Sequence, residues 1–133
     1  MAYLLDTNIV SDFIRYPWGR CSEHIRSAGG AQVCTSIIVA AELRMGAERQ
    51  SGSRLAARIE EVLARLNVLA FDAPADLHYG RIRAELQRTG KPIGGNDLLI
   101  AAHALALGHT LVTDNEKEFS RITGLAVENW LRG

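Results

Sequence analysis

Four acidic side chains occupy positions at which an α/β chain does chemistry. Asp6 follows the apolar run Tyr3-Leu4-Leu5, Asp114 and Asn115 follow Leu111-Val112-Thr113, and Glu42 and Asp97 lie in stretches with helical spacing. Ligands of an open parallel sheet bind outside the carboxyl ends of its strands, so acids there are read apart from acids on solvated helices. Glu42 shares a stripe with Ile38, Val39, Met45 and Gly46 while Arg44 and Glu48 fall opposite, which predicts a carboxylate on an inward face. Asp97 opens a helix whose same face continues through Ile100, Ala101 and Ala104, and this directs it to the sheet edge. Carboxylates brought together from four segments raise one another's pKa or demand a cation, and hard oxygen donors suit Mg²⁺ or Mn²⁺. Such a centre activates water and bridges phosphate oxygens, which is what phosphodiester hydrolysis requires. Taken singly, each acid also reads as a helix cap or a solvated residue; the inference rests on the set.

The other reactive residue types assemble into nothing comparable. His24, His78, His103 and His109 show no ligand spacing, and His103 in its Ala-rich segment reads as a satisfied core residue. Gly94-Gly95 is no phosphate-binding fingerprint, because G-x-G-x-x-G after a strand is absent and Lys91 is followed by Pro92. Cys21 and Cys34 stand apart, without a C-x-x-C or a His/Cys cluster, so neither a disulfide framework nor a zinc site is indicated and a reducing cytoplasm is the expected setting. Trp18 and Trp130 are expected to be packing anchors.

The elements that must position these acids follow from periodicity. Tyr3 to Leu5 reads as a strand ended by Asp6-Thr7-Asn8, which caps a helix over Ile9–Ile14. Pro17-Trp18-Gly19 breaks the chain, Ser22–Ala28 is a short helix, and Gly29-Gly30 precedes a strand over Ala31–Thr35. Ser36 caps a helix to about Arg49, Ser51-Gly52-Ser53 turns, and Arg54–Leu66 carries apolar residues at helical spacing before a strand over Val68–Phe71. Pro74 opens a helix to Thr89 with Leu77, Ile82 and Leu86 inward, and Gly90 ends it. Asn96 caps a helix that Gly108 terminates, Thr110–Thr113 is a strand, Asn115–Ile122 is helical, and Ala126–Glu128 forms a last short strand. Strands alternating with helices of this length specify a parallel α/β sheet with helices on both faces.

With 133 residues, 15 Lys+Arg against 15 Asp+Glu and 47% hydrophobic residues, the chain reads as one globular domain rather than a tail or linker. The longest apolar stretch, Leu98–Leu107, is interrupted by His103 and falls short of the roughly 20 residues that span a bilayer, and no export signal is read at the N-terminus. Zero formal charge argues against indiscriminate nucleic-acid binding, although 13 of the 15 basic residues are Arg, the side chain suited to bidentate phosphate contacts.

The motifs LLDTN (4–8), AAELRMGA (40–47), IRAELQRTGKPIGGNDLLIAAHALALG (82–108) and TLVTDNEKEF (110–119), taken in order, resemble the PIN-domain ribonuclease toxins of VapBC toxin–antitoxin systems, and the likeness spans nearly the whole chain to Val127-Glu128-Asn129-Trp130. The resemblance implies a single domain over 1–133 with a PIN-like three-layer α/β/α fold around a central, mainly parallel sheet of four to five strands. It implies an Mg²⁺-dependent endoribonuclease, Mn²⁺ being the other fitting ion. Its targets would be structured RNA, initiator tRNA or ribosomal RNA, cut by water in line to leave a 5′-phosphate and a 3′-hydroxyl. Carried over by motif, Asp6 and Asp97 are the principal metal ligands and Glu42 completes the cluster. The fourth position falls in the T-x-[DN] segment, with Asn115 on the usual spot and the candidate ligand Asp114 beside it, while Asn8 and Thr113 are supporting polar groups. The likeness further implies a homodimer and a VapB-like antitoxin lying over the acidic groove, with operator DNA bound through that antitoxin.

The same residues bear on two other classes. An aspartate phosphotransfer enzyme wants either a second Asp two residues after the first, where Asn8 stands, or a Lys at a late strand end, whereas Lys117 lies within the expected helix. A binding module without activity, working only through a partner, is the non-enzymatic alternative, and the presence of Asp6, Glu42 and Asp97 together weighs against it.

Overall fold

A computed structural model describes residues 2–50 and 53–132. Five strands form one wholly parallel sheet: β1 (Tyr3–Leu5), β2 (Val33–Ser36), β3 (Asn67–Leu69), β4 (Thr110–Val112) and β5 (Val127–Glu128), in the spatial order β3-β2-β1-β4-β5. Between them run α1 (Thr7–Arg15), α2 (Arg20–Ala28), α3 (Ile37–Gln50), α4 (Ser53–Arg65), α5 (Ala75–Arg88), α6 (Gly95–Leu107) and the single turn α7 (Glu116–Phe119). The chain builds outward from β1 to β2 and β3, then crosses back to place β4 on the other side of β1. Right-handed crossovers therefore put α1–α4 on one face and α5–α7 on the other, the three-layer arrangement. The reversal of direction opens a crevice at the carboxyl ends of β1 and β4.

The central strands are short and predominantly apolar, as strands covered on both faces are. Leu4, Leu5, Leu111 and Val112 are fully buried, and against them pack Ile9 and Val10 of α1, Val39 and Ala40 of α3, and Ile100, Ala101 and Ala104 of α6. Gly108 closes α6 in the left-handed region at φ 68°, its N–H returning to the carbonyls of Ala104 and Leu105, so β4 begins two residues later. His103 is buried as expected, with Nδ1 2.8 Å from Ser36 Oγ and its ring edge-on to Phe71. Trp130 is the expected anchor, edge-on to Tyr3 and stacked on His24 at 4.9 Å, while Arg20 donates to the Leu131 carbonyl and straps the last turn to α2. Burial pushes the Cys21 and Cys34 thiols up, to about 12 and about 11, with the Asp12 carboxylate adding to the effect at Cys21.

Several expectations fail in instructive ways. Trp18 is 86% exposed, Met45 and Leu77 are each 51% exposed, and none of the three anchors the core. The inward stripe of α3 is Val39, Ala40 and Leu43, because α3 packs on α1 and α4 rather than lying flat on the sheet, and Glu42 falls at the margin of that stripe. A 3-10 turn over Gly30–Gln32 takes the start of the expected second strand, and α7 covers four residues where eight were expected. Asn96 does not cap α6: Gly94 holds that position and Asn96 lies in the first turn. The expected turn at Ser51-Gly52 lies outside the described residues. Among the described residues no helix is long and apolar enough to cross a membrane.

Truncating the fully buried Leu111 to Ala is expected to cost about 2–5 kcal/mol, through lost transfer energy and the cavity left in the central strand. Met45→Ala, on the exposed side of α3, is expected to stay within about 0.5 kcal/mol of the parent in the same urea titration.

Candidate active site

The crevice is organised by Asp6, which is 3% exposed. Its backbone N–H donates to the Val112 carbonyl across the β1–β4 edge at 2.9 Å, which fixes the residue at the end of the ladder. Its carboxylate is then held at both oxygens: Oδ1 accepts from the Thr7 N–H at 2.8 Å, the N-cap contact of α1, and Oδ2 accepts from the Thr113 hydroxyl at 2.7 Å. Thr113 is thus a support for Asp6, and its Oγ1 also accepts from the Asn115 N–H.

Glu42 reaches the crevice from α3. Its Oε1 accepts from the Thr7 hydroxyl and its Oε2 from Asn96 Nδ2 at 3.2 Å, so residues from α1 and α6 fix both oxygens. Asp97, in the first turn of α6, is hydrogen-bonded to Glu118 of α7. Glu118 is in turn held by Asn115 Nδ2 at 3.0 Å and by the Gly94 N–H at 3.1 Å, which ties the 91–95 loop to α7. Arg121 donates to the Pro92 carbonyl and reinforces that tie.

The structure therefore brings Asp6, Glu42 and Asp97 together and adds Glu118 as the fourth carboxylate. Asp114 is turned out of this group: it is exposed, and its Oδ1 accepts from Asn129 Nδ2 at 3.0 Å. Its N–H is taken by Asn8 Oδ1 at 3.0 Å, so backbone and side chain are both engaged by residues outside the cluster. Asn8 thereby shapes the turn after β4, and Asn115 acts on Glu118. Thr7, Asn96 and Glu118 escaped sequence reasoning. The signal for Thr7 was its place beside Asp6, whereas Glu118, in the alternating Glu116-Lys117-Glu118, reads as solvated charge.

Electrostatics give the site its character. Burial raises the Asp6 pKa, the Thr113 and Thr7 hydrogen bonds oppose that rise, and the charges of Glu42 and Glu118 add to it. Asp97 is pushed to about 7 by burial, by its hydrogen bond to Glu118 and by the charges of Asp6, Glu118 and Glu42. Glu118 moves the other way, lowered by Asn115 and Gly94 and by its contact with Asp97, so a proton shared by the pair resides on Asp97. Among the described residues no Lys or Arg forms an ion pair with Asp6, Glu42 or Asp97. Hard oxygens with uncompensated charge match a divalent cation in chemistry. Among the described residues no three acidic, His or Cys side chains surround one point as a finished cage.

The PIN domain model matches residues 3–125. The chain belongs to the PIN-domain family. Within that family it is 44% identical over 133 residues to the ribonuclease VapC2 of Haemophilus influenzae, covering 98% of this chain and 99% of that one. It is 40% identical to the tRNA(fMet)-specific endonuclease VapC of Shigella flexneri, covering 98% of each. The PIN fold is matched equally well in three dimensions: VapBC2 from Rickettsia felis, solved bound to a promoter DNA fragment, superposes with a TM-score of 0.90 at 38% identity over 98% of this chain and 99% of that one. The DNA-bound VapBC of Salmonella typhimurium gives 0.91 at 38% identity, covering 98% of each chain.

The cluster's charge has a measurable cost. Folded Asp97 holds its proton more tightly than the unfolded chain does, so between pH 3.8 and about 7 the folded state carries protons that the unfolded state has lost. The Asp97 contribution to stability therefore falls as pH rises through that window and is greatest below it. In EDTA at pH 8, Asp97→Asn is expected to raise Tm by about 3 °C or more, a gain that vanishes near pH 4. Added Mg²⁺ or Mn²⁺ is expected to raise the Tm of the parent and leave that of Asp97→Asn nearly unmoved, as read by scanning calorimetry.

Proposed function

We propose that this chain is the toxin of a VapBC-type pair: a divalent-metal-dependent endoribonuclease that stops translation by hydrolysing a structured RNA and is silenced by a VapB-like antitoxin lying over its acidic groove. The observation that carries the reading is the uncompensated carboxylate group at the β1–β4 crevice, with Asp97 held near neutrality. The full-length likeness to VapC ribonucleases supports the activity, and the DNA-bound VapBC assemblies support an antitoxin partner that brings operator DNA; the reading takes the toxin as a homodimer. The relatives specific for tRNA(fMet) make initiator tRNA the first substrate to try.

Asp6 and Asp97 are the residues that would hold Mg²⁺ or Mn²⁺, and Glu42 completes the set. When bound, the ion neutralises the scissile phosphate and lowers the pKa of water. The chain's own groups prepare for this. Thr7 and Thr113 fix the Asp6 carboxylate, Thr7 and Asn96 fix that of Glu42, and Asn115 with Gly94 fixes Glu118 beside Asp97. With its pKa near 7, Asp97 is the group able to give up its proton under physiological conditions and become a ligand. Hydrolysis then adds water across the P–O3′ bond, leaving a 5′-phosphate and a 3′-hydroxyl.

Purified total RNA incubated with the protein and Mg²⁺, then end-mapped, is expected to show discrete cuts that EDTA abolishes. Asp6→Asn and Asp97→Asn are expected to lower the rate by about 100-fold or more, the scale of losing several kcal/mol of charge stabilisation. Glu118→Gln, which loosens the residue tied to Asp97, is expected to cost about 10-fold, while Asp114→Asn stays within about threefold. Wild-type rates in Asp6→Asn and Asp97→Asn would refute the assignment, and a folded protein that cuts no RNA with any divalent ion would leave only a partner-binding role.

A further inference from the structure

A carboxylate cluster repels the polyanion it is proposed to cut, so the approach to it must supply positive charge. One groove of about 450 Å³ begins at the site itself, with Thr7 and Glu42 on its wall, and runs between α1, α3 and α4 past Arg15 and Arg58. Neither guanidinium has a hydrogen bond or ion pair within the described residues, whereas Arg44 and Arg65 of the same region are paired with Glu60 and Glu61. Arg58 also lines a second groove of about 450 Å³ on its other side, between α1, α2 and α4. At that groove's edge stands Trp18, 86% exposed, with the Arg26 guanidinium 5.8 Å from its ring centroid. Carboxylates, two free arginines and an exposed indole thus lie along two adjoining grooves that meet at Ile14 and Arg58.

We propose that these grooves form a single-stranded RNA track, in which Arg15 and Arg58 bind backbone phosphates flanking the scissile one and Trp18 stacks on an unpaired base farther along the strand. The inference rests on the nuclease reading and adds the path by which the strand leaves the site. Guanidinium groups suit phosphate oxygens through paired N–H donors, and an exposed aromatic beside a basic track is the usual means of holding an unpaired base. A net charge of zero makes the local arrangement decisive, because the chain as a whole carries no excess of positive charge to draw RNA in.

The test uses the full chain carrying Asp97→Asn, so that RNA is bound without being cut, with a fluorescein-labelled tRNA(fMet) anticodon stem-loop titrated in Mg²⁺ at several salt concentrations. Arg15→Gln and Arg58→Gln are each expected to weaken binding about threefold to tenfold and to lower the slope of log K against log salt by about 0.7, one phosphate contact on a single strand. Trp18→Ala is expected to weaken binding about fivefold or more while leaving the salt slope unchanged. Trp18 emission should be quenched by RNA, and because Trp130 is buried the Trp18→Phe variant should lose that signal. In the Asp97-intact protein, the arginine variants are expected to raise KM and preserve kcat. RNA binding with unaltered affinity and salt slope in both arginine variants would overturn the track and leave the groove to a polypeptide partner. Failure of the unsubstituted chain either to bind or to cut any RNA in Mg²⁺ would overturn the nuclease reading itself.

Discussion

The structure depends on the parallel pairing of β1 with β4. These strands are separated in sequence by more than a hundred residues, yet their ends meet at the point where the sheet reverses its direction of growth. Asp6 is locked there by three hydrogen bonds, one from its own N–H to Val112 and two into its carboxylate from Thr7 and Thr113. A single residue is therefore the end of a strand, the cap of a helix and the floor of the site. Any rearrangement of β1 against β4 would undo all three roles, which is why the apolar packing of Leu4, Leu5, Leu111 and Val112 underlies function as well as stability.

Around that fixed carboxylate the chain assembles others instead of counter-charges. The nearby arginines do not pair with it: Arg44 meets Glu60 in solvent, and Arg121 holds the loop at Pro92 rather than meeting Asp97. Burial first, and then the neighbouring carboxylates, raise the pKa values of Asp6 and Asp97, a cost to the folded domain that protonation relieves. Hydrogen bonds from Thr7, Asn96 and Asn115 do the positioning that ion pairs do at ordinary surface sites, and they do so without cancelling the charge.

Much of this was legible in the sequence. Alternating apolar runs and helical stripes gave the α/β order, and Asp6 and Asp97 could be placed because each adjoins an element boundary with a clear cap or strand signal. What resisted reading depended on tertiary angles. Periodicity assigns a face to Met45 and Leu77 but not which helix or sheet will cover it, and in both cases nothing does within the described residues. Asp114 looked better than Glu118 because it directly follows a strand, yet its N–H and side chain are engaged by Asn8 and Asn129, and the four-residue α7 carries Glu118 in. A turn that short has no periodicity to detect. Trp18 was misjudged for its size alone; its neighbours Pro17 and Gly19 already marked a break in the chain rather than a packing surface.

The two buried thiols bear on how such a protein can be controlled. Cys21 and Cys34 remain protonated at neutral pH and have no access to solvent, so neither is a nucleophile toward peroxide or a mixed disulfide. The catalytic candidates are oxygen donors throughout, and oxidants do not alter them. Neither thiol therefore gives a redox handle on the carboxylate cluster.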